Sequence, residues 1–271
     1  AAGDGGVSKD DQESLVQLHL ALLFRTDRVT EAAARASSWL LSDEGASLRV
    51  DTVLNTLGLL CEHGCADAAT RACDHFLNHP GGGDGEARTL HSELCELQYK
   101  LLTEMLHDSV AATKLLDSIL DGHATSAKPV QRETLSWLAK RLWNRGYEAF
   151  NDGELYKTIE HYEQCARFLR AAADNESLCR TTASLAHCHW LQGSYGTASG
   201  FAREALALGQ APTSPGVPLG IDALAPADPT LLAHSVLIKS QLKVGDQDAA
   251  QASVDAFFRA HPSDHLLIAA L

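Results

Sequence analysis

Apolar residues recur along this chain every three to four positions, the period of a helix that buries one face. Clear alternating runs, which would favour β-strands, are absent. The stretch 142–169 shows the helical period best, as two apolar stripes separated by a short polar turn at 151–153. The second stripe comprises Ile159, Tyr162, Cys165, Ala166 and Leu169. The pattern predicts two helices joined by a tight turn.

The same hairpin pattern returns twice downstream. Gly153 at the turn recurs as Gly193, 40 residues later, and as Gly245, a further 52 residues later. The positions after each glycine match as well: Leu155, Thr158, Tyr162, Cys165 and Ala166 correspond to Tyr195, Ala198, Ala202, Ala205 and Leu206, and the last copy carries Ala250, Val254, Phe257 and Phe258. Small residues at these positions allow two helices to approach closely. A repeated hairpin of this kind is typical of tetratricopeptide repeats.

The prediction for the fold is all-α, an α-α superhelix: a tetratricopeptide-like solenoid of about six helix pairs. Residues 1–8 are expected to be a flexible lead, 9–128 a degenerate helical-repeat part, and 129–271 tetratricopeptide-like repeats with a Pro-rich loop at 210–229. We expect one continuous solenoid, with the glycine run 81–85 as a solvated linker. The missing initiator Met and the apolar end at 266–271 suggest an excerpt of a longer chain.

Composition narrows the classes of partner. The formal net charge is −13 and the 22 Lys and Arg residues are scattered singly, so direct nucleic-acid binding is not expected. No apolar run reaches the roughly 20 residues of a membrane helix, so no membrane partner is expected. Seven cysteines, an odd number within helical patterns, favour a reduced intracellular protein.

Two clusters of cysteine and histidine are candidates for metal binding or nucleophilic catalysis. Cys61 and Cys65, with Cys73 and two downstream histidines, could bind zinc, but the two-residue knuckle spacing is missing and buried thiol packing explains them better. His187 and Cys188 are adjacent on one helix and diverge by about 100°, so they do not form a nucleophile–base pair. We therefore predict a protein that is not an enzyme and has no cofactor or metal.

A concave groove is the predicted binding surface. Inner helices of such repeats line it, and their groove-facing positions include Lys140, Trp143, Tyr147 and Phe150 in the fourth pair and His187 and Trp190 in the fifth. This aromatic surface suits a hydrophobic peptide or helix. The lysine and asparagine clamp with which chaperone-binding repeats hold a terminal carboxylate is absent. The alternative is that these aromatics pack in the core.

The segment Leu135–Gly146, with its Trp-Asn-x-Gly motif, resembles the meiotic Spo-twenty-two/Zip-four family. The likeness continues through Ala149, Phe150 and 159–162, and the N-terminal segment 8–24 is similar to vertebrate and plant members. The loop after Gln210 and the glycine run after Pro80 depart from the family pattern. The resemblance implies a nuclear, chromosome-associated scaffold that promotes crossover formation and synapsis by binding other crossover-promoting or chromosome-axis proteins.

The functional prediction is accordingly a non-enzymatic protein–protein interaction scaffold of meiotic crossover formation and synapsis. The alternative is a tetratricopeptide adaptor or co-chaperone-type subunit of another intracellular complex. Neither the identity of the partner nor the oligomeric state follows from the sequence.

Overall fold

A computed structural model describes residues 8–42, 45, 48–78, 84–125, 130–210 and 228–260. Within these ranges the chain forms twelve α-helices, one π-helical turn and no β-strand. The helices are α1 Lys9–Arg25, α2 Val29–Leu40, α3 Val50–Glu62, α4 Ala66–Asn78, α5 Asp84–Lys100, α6 Ser109–Ala124, α7 Arg132–Asn151, α8 Leu155–Ala171, α9 Asn175–Leu191, α10 Tyr195–Gly209, α11 Pro229–Lys243 and α12 Gln247–Ala260. The predicted fold class, all-α with helix pairs packed on their neighbours, is confirmed.

Polar side chains cap several of the helices at their N-termini. The Ser8 hydroxyl accepts a hydrogen bond from the Asp11 amide, and the carboxylates of Asp108 and Asp174 accept from the amides of Ala111 and Ser177. Each cap satisfies a backbone donor that has no partner inside the helix, and the negative charge of the two aspartates also suits the positive end of the helix dipole. These residues therefore fix where α1, α6 and α9 begin.

Most of the short turns between helices share one backbone geometry. A residue with positive φ follows the helix, its amide donates to the carbonyl three residues back, and the next amide donates to the carbonyl five residues back. This arrangement occurs at Asp27, Gly64, Gly153, Ala173, Gly193 and Gly245. At His107 the bond from the following amide reaches six residues back, because the turn 101–105 before it is π-helical.

The described residues divide into two compact units, 1–134 and 135–271. In the first unit, α1 to α6 pack mainly through aliphatic side chains such as Leu20, Leu57 and Leu94, all fully buried. One charged side chain is also buried there: the Glu13 carboxylate accepts from the Thr52 hydroxyl at 2.6 Å and from Arg49 Nε at 3.3 Å. This contact ties α1 to α3.

The second unit has a core of small residues between α9, α10 and α11. Its buried cluster consists of Cys179, Ala183, Ala186, Ala198, Ala202, Ala205, Ala233, Val236 and Leu237. Alanine at these positions lets the three helices pack closely, as the repeat alignment had indicated for Ala198, Ala202 and Ala205. Larger side chains, including Trp190 and Phe201, pack against the edge of this cluster.

Some boundaries differ from the sequence prediction. Helix α5 begins at Asp84, inside the glycine run expected to be a linker, and α6 continues through Gly122 without a break. In both cases an isolated glycine is tolerated in a helix at a cost of about 1 kcal/mol. The lead before Ser8, the glycines at 81–83, the loop 211–227 and the residues after 260 lie outside the described residues.

Candidate functional site

Side chains from four helices of the second unit surround a cavity of about 270 Å³ that opens to solvent. Its walls, called here the aromatic pocket, are Trp143, Tyr147 and Phe150 of α7, Tyr162 of α8, Ser184, His187 and Cys188 of α9, and Leu232 of α11. No acidic or basic side chain other than the imidazole lines it. The pocket therefore offers aromatic contact area with a few polar groups.

Trp143 and Tyr162 form the closed side of the pocket. Their rings stack at 4.7 Å between centroids, with an interplanar angle of 23°. Trp143 is only 1% exposed and Tyr162 is also buried. The two rings can lie this close because Gly146, one turn after Trp143, leaves room for Tyr162 where α7 and α8 cross.

His187 lies between two other aromatic rings. Its centroid is 6.3 Å from Phe150 and 6.3 Å from Trp190, and it stacks on Trp190 at an interplanar angle of 11°. Tyr147, Phe150 and His187 are each half-buried, so part of every ring remains accessible. These three side chains form the open side of the pocket.

The structure distributes the six predicted groove residues unevenly. Trp143, Tyr147, Phe150 and His187 come together in the aromatic pocket. Trp190 contacts His187 but packs on the alanine-rich cluster and does not line the cavity. Lys140 is exposed on α7 and does not line it either. Among the four pocket residues, Trp143 is core and the other three are accessible.

Sequence reasoning missed four residues of the pocket. Tyr162 was assigned only to the apolar stripe of the second helix and to helix crossing. Ser184 lies three residues before His187, a spacing that places both on one helical face and could have revealed it. Cys188 was excluded as a partner of His187 because adjacent residues on a helix diverge, yet Cys188 and His187 both line the cavity. Leu232 lies 13 residues before Gly245, as Lys140 lies 13 residues before Gly153, so the repeat alignment could have revealed it.

Burial sets the protonation of the groups in the pocket. It lowers the pKa of His187, and the nearby Lys239 ammonium lowers it further, so the imidazole is neutral at physiological pH. Burial raises the pKa of the Cys188 thiol to about 12. A thiol so protonated is a weak nucleophile and a poor metal ligand. The pocket presents a neutral, weakly polar surface suited to binding apolar groups.

The cysteines that the sequence analysis considered and rejected as zinc ligands are Cys61, Cys65 and Cys73. Among the described residues, no group of three or more His, Cys, Asp or Glu side chains has an arrangement that could hold a metal ion. His63 instead stacks on Phe24 at 4.3 Å, and the Cys65 thiol lies 3.7 Å from the His63 carbonyl oxygen. Cys73 is buried in the core of the first unit.

Together, the repeated hairpins and the aromatic pocket define the class of this protein as all-α helical-hairpin repeats. None of the helices in the described ranges has the length and apolar character needed to cross a membrane.

No protein-family model matches the chain. No curated protein matches it either. Among solved structures, BtubC (BKLC) from P. vanneervenii is 13% identical, with 94% of this chain and 91% of that chain covered and a TM-score of 0.39. The apo form of RapI is 12% identical, with 94% and 66% covered and a TM-score of 0.40. Likenesses at this level carry no argument about activity or partners.

Proposed function

We propose that this protein is a non-enzymatic interaction scaffold whose second unit binds a partner polypeptide in the aromatic pocket. The observation that carries the proposal is the meeting of Tyr147, Phe150 and His187 around an open cavity, above a fixed floor of Trp143 and Tyr162. Aromatic side chains held in place supply contact area at a small cost in conformational entropy. Interfaces concentrate their binding energy on such residues.

The size of the pocket also favours a protein partner. Its volume of about 270 Å³ lies at the lower limit of small-molecule sites, about 300 Å³. A cavity of this size accommodates one large side chain projecting from a bound segment. Helical hairpins that stack side by side present such cavities on a rigid support, so the scaffold itself need not reorganise on binding.

The finer proposal is that the partner belongs to meiotic crossover formation and synapsis, and that the protein acts on chromosomes in the nucleus. The resemblance around Trp143, Asn144 and Gly146 supports it. Affinity capture from meiotic and somatic extracts of the same species tests it. We expect crossover or chromosome-axis proteins enriched in the meiotic sample; equal recovery of the same proteins from both extracts would contradict the meiotic assignment.

Pocket binding is tested by selecting short peptides from a random display library on the immobilised 271-residue chain. We expect selected peptides to bind the Tyr147→Ala variant about tenfold more weakly, since loss of one aromatic anchor costs roughly 1–2 kcal/mol. Tyr147 is chosen because it is accessible, whereas replacing the buried Trp143 would disturb the core. Tyr156→Ala is the matched control, because Tyr156 is 78% exposed on α8 and lines no part of the pocket. Equal affinity of both variants would refute the proposal.

A further inference from the structure

We propose that the occupant of the aromatic pocket is an acidic partner segment, in which one large apolar side chain enters the cavity and flanking Asp or Glu residues stay at its rim. This inference rests on the proposed function and adds the chemistry of the partner. It is carried by the contrast between the neutral pocket and the basic helices that surround it.

The helices around the pocket are basic in an acidic protein. The whole chain has a formal net charge of −13. In contrast, α7 has four basic and two acidic residues, the basic ones being Arg132, Lys140, Arg141 and Arg145. Helix α11 has two basic residues, Lys239 and Lys243, and no acidic residue. The acidic excess therefore lies elsewhere in the chain. Complementary potential of this kind steers an acidic partner to this part of the molecule and discourages a basic one.

Three cations share helical faces with the walls of the pocket. Lys140 precedes Trp143 by three residues and Tyr147 by seven, so it lies on the same face of α7. Lys239 follows Leu232 by seven residues on α11, so the two side chains lie on the same face of that helix. Arg180 precedes Ser184 by four residues on α9.

Two of the acidic groups on these elements, Asp228 and Glu176, are already engaged. The Asp228 carboxylate, before α11, accepts from the amides of Thr230 and Leu231 and from the Thr230 hydroxyl, so it serves as a helix cap. Glu176, one turn before Arg180, forms an ion pair with it at 3.7 Å. Glu133 and Glu148 are exposed on α7. The rim thus retains Lys140 and Lys239 as cations for a partner.

The pocket itself excludes charge. Apart from the neutral imidazole of His187, its walls carry no acidic or basic side chain that could pair with a buried charge, and taking an unpaired charge from water into such a site is costly. The anchor that enters is therefore apolar, and the acidic groups remain at the edge, where water and the lysines both reach them. Cations next to aromatic rings also occur in single-stranded nucleic-acid sites. Here a single small cavity and an acidic chain favour the peptide.

The experiment uses the peptides selected on the full chain and keeps only those weakened by Tyr147→Ala. We expect them to combine a large apolar residue with net negative charge, and to bind less tightly as salt is raised. Lys239→Glu should weaken them about fivefold, because it removes one attraction and adds one repulsion at a partly exposed site. Lys114→Glu, an equal change in charge at an exposed lysine on α6 outside the pocket, should leave their affinity unchanged.

The outcomes separate this inference from the proposed function. Peptides that depend on Tyr147 but are neutral or basic, or that ignore Lys239→Glu, would overturn the acidic partner and leave the pocket as a binding site. If no selected peptide depends on Tyr147, both the proposed function and the acidic partner are overturned. Competition by an oligothymidylate for the same site would overturn the acidic segment in favour of a single-stranded nucleic acid.

Discussion

Gly146 shows how a single residue shapes the pocket. A Cβ atom built there would lie 2.5 Å from Cε1 and 2.6 Å from Cδ1 of Tyr162. Those distances are far below van der Waals contact, and the Tyr162 ring cannot retreat freely because it stacks on Trp143. The glycine is therefore required by the close approach of α7 and α8.

Gly146→Ala should destabilise the protein by about 1–2 kcal/mol, because overpacking outweighs the gain in helix propensity. Urea unfolding of the variant and the parent chain measures the difference. Gly200→Ala is the matched control: Gly200 is exposed within α10, and an added Cβ would meet nothing within 4 Å. We expect that variant to gain about 0.5–1 kcal/mol. Equal effects at the two positions would show that the Tyr162 contact is unimportant.

His187 predicts a pH dependence at the residue scale. Burial lowers the pKa of His187 and of His161, and nearby Lys239 and Arg145 lower them further. A folded pKa below the unfolded value, about 6.5, means that the unfolded chain binds more protons as pH falls past that value. The free energy of unfolding should therefore decrease as the pH falls below about 7.5 and through the folded pKa of these histidines, and it should decrease less in His187→Gln. His19→Gln, at an exposed histidine on α1, is the control. The prediction is contradicted if the free energy of unfolding decreases as much in His187→Gln as in the parent chain.

The sequence predicted the same groove-facing position for all six candidates, whereas the structure shows that they differ in burial. Trp143 and Tyr147 are four residues apart on one face of α7, which is all that helical spacing can state. Trp143 is buried because α8 crosses at Gly146 and places Tyr162 over it, whereas Tyr147 is only half-buried. Which residues are core and which are accessible depends on that crossing, and periodicity alone contains no information about it.

At the scale of the element, the residues in the turns between helices differ in the conformational energy that a positive φ costs them. Gly64, Gly153, Gly193 and Gly245 take a positive φ easily, and three of them were visible in the repeat alignment. Ala173 adopts the same geometry at φ 54° without that freedom. No sequence pattern marks an alanine as a turn residue, so the sequence did not predict this turn, and its shape follows from packing of α8 and α9.

Ala173→Gly should stabilise the protein by about 0.5–1 kcal/mol. The left-handed conformation costs a residue with a Cβ roughly 1–2 kcal/mol, and the greater freedom of glycine in the unfolded chain offsets part of the gain. The reciprocal change, Gly193→Ala, should destabilise by a similar amount, since Gly193 has φ 83° and open space around it. Denaturant midpoints of both variants check the pair. Destabilisation by Ala173→Gly would contradict the geometric explanation.

At the scale of the whole molecule, the sequence predicted the fold class well because repeated spacing is a local property. The recurrence of Gly153 as Gly193 and Gly245 marks three hairpins of the second unit directly. The pocket was less accessible to prediction, because it depends on α11 returning beside α7 and α9. Lys239 lies six residues before Gly245, as Tyr147 and His187 lie six residues before Gly153 and Gly193, so the alignment gives its position on the helix but not its distance from His187.

The distribution of charge also belongs to the whole molecule. A net charge of −13 argued against binding to nucleic acid, and the average hides the basic α7 and α11 beside the pocket. Long-range steering depends on such local excesses as well as on the total. A neutral pocket beside two basic helices is thus consistent with an acidic polypeptide partner, although the protein as a whole is acidic.

Site-directed crosslinking tests the central claim, a polypeptide site in the aromatic pocket, most directly. A photoreactive benzophenone side chain is placed at Tyr147 in one variant and at Tyr156 in another, and each is irradiated with a peptide selected on the parent chain. The account predicts a covalent adduct at position 147 that excess unlabelled peptide abolishes, and none above background at position 156. Adducts of equal yield at both positions, or at position 156 alone, would contradict it.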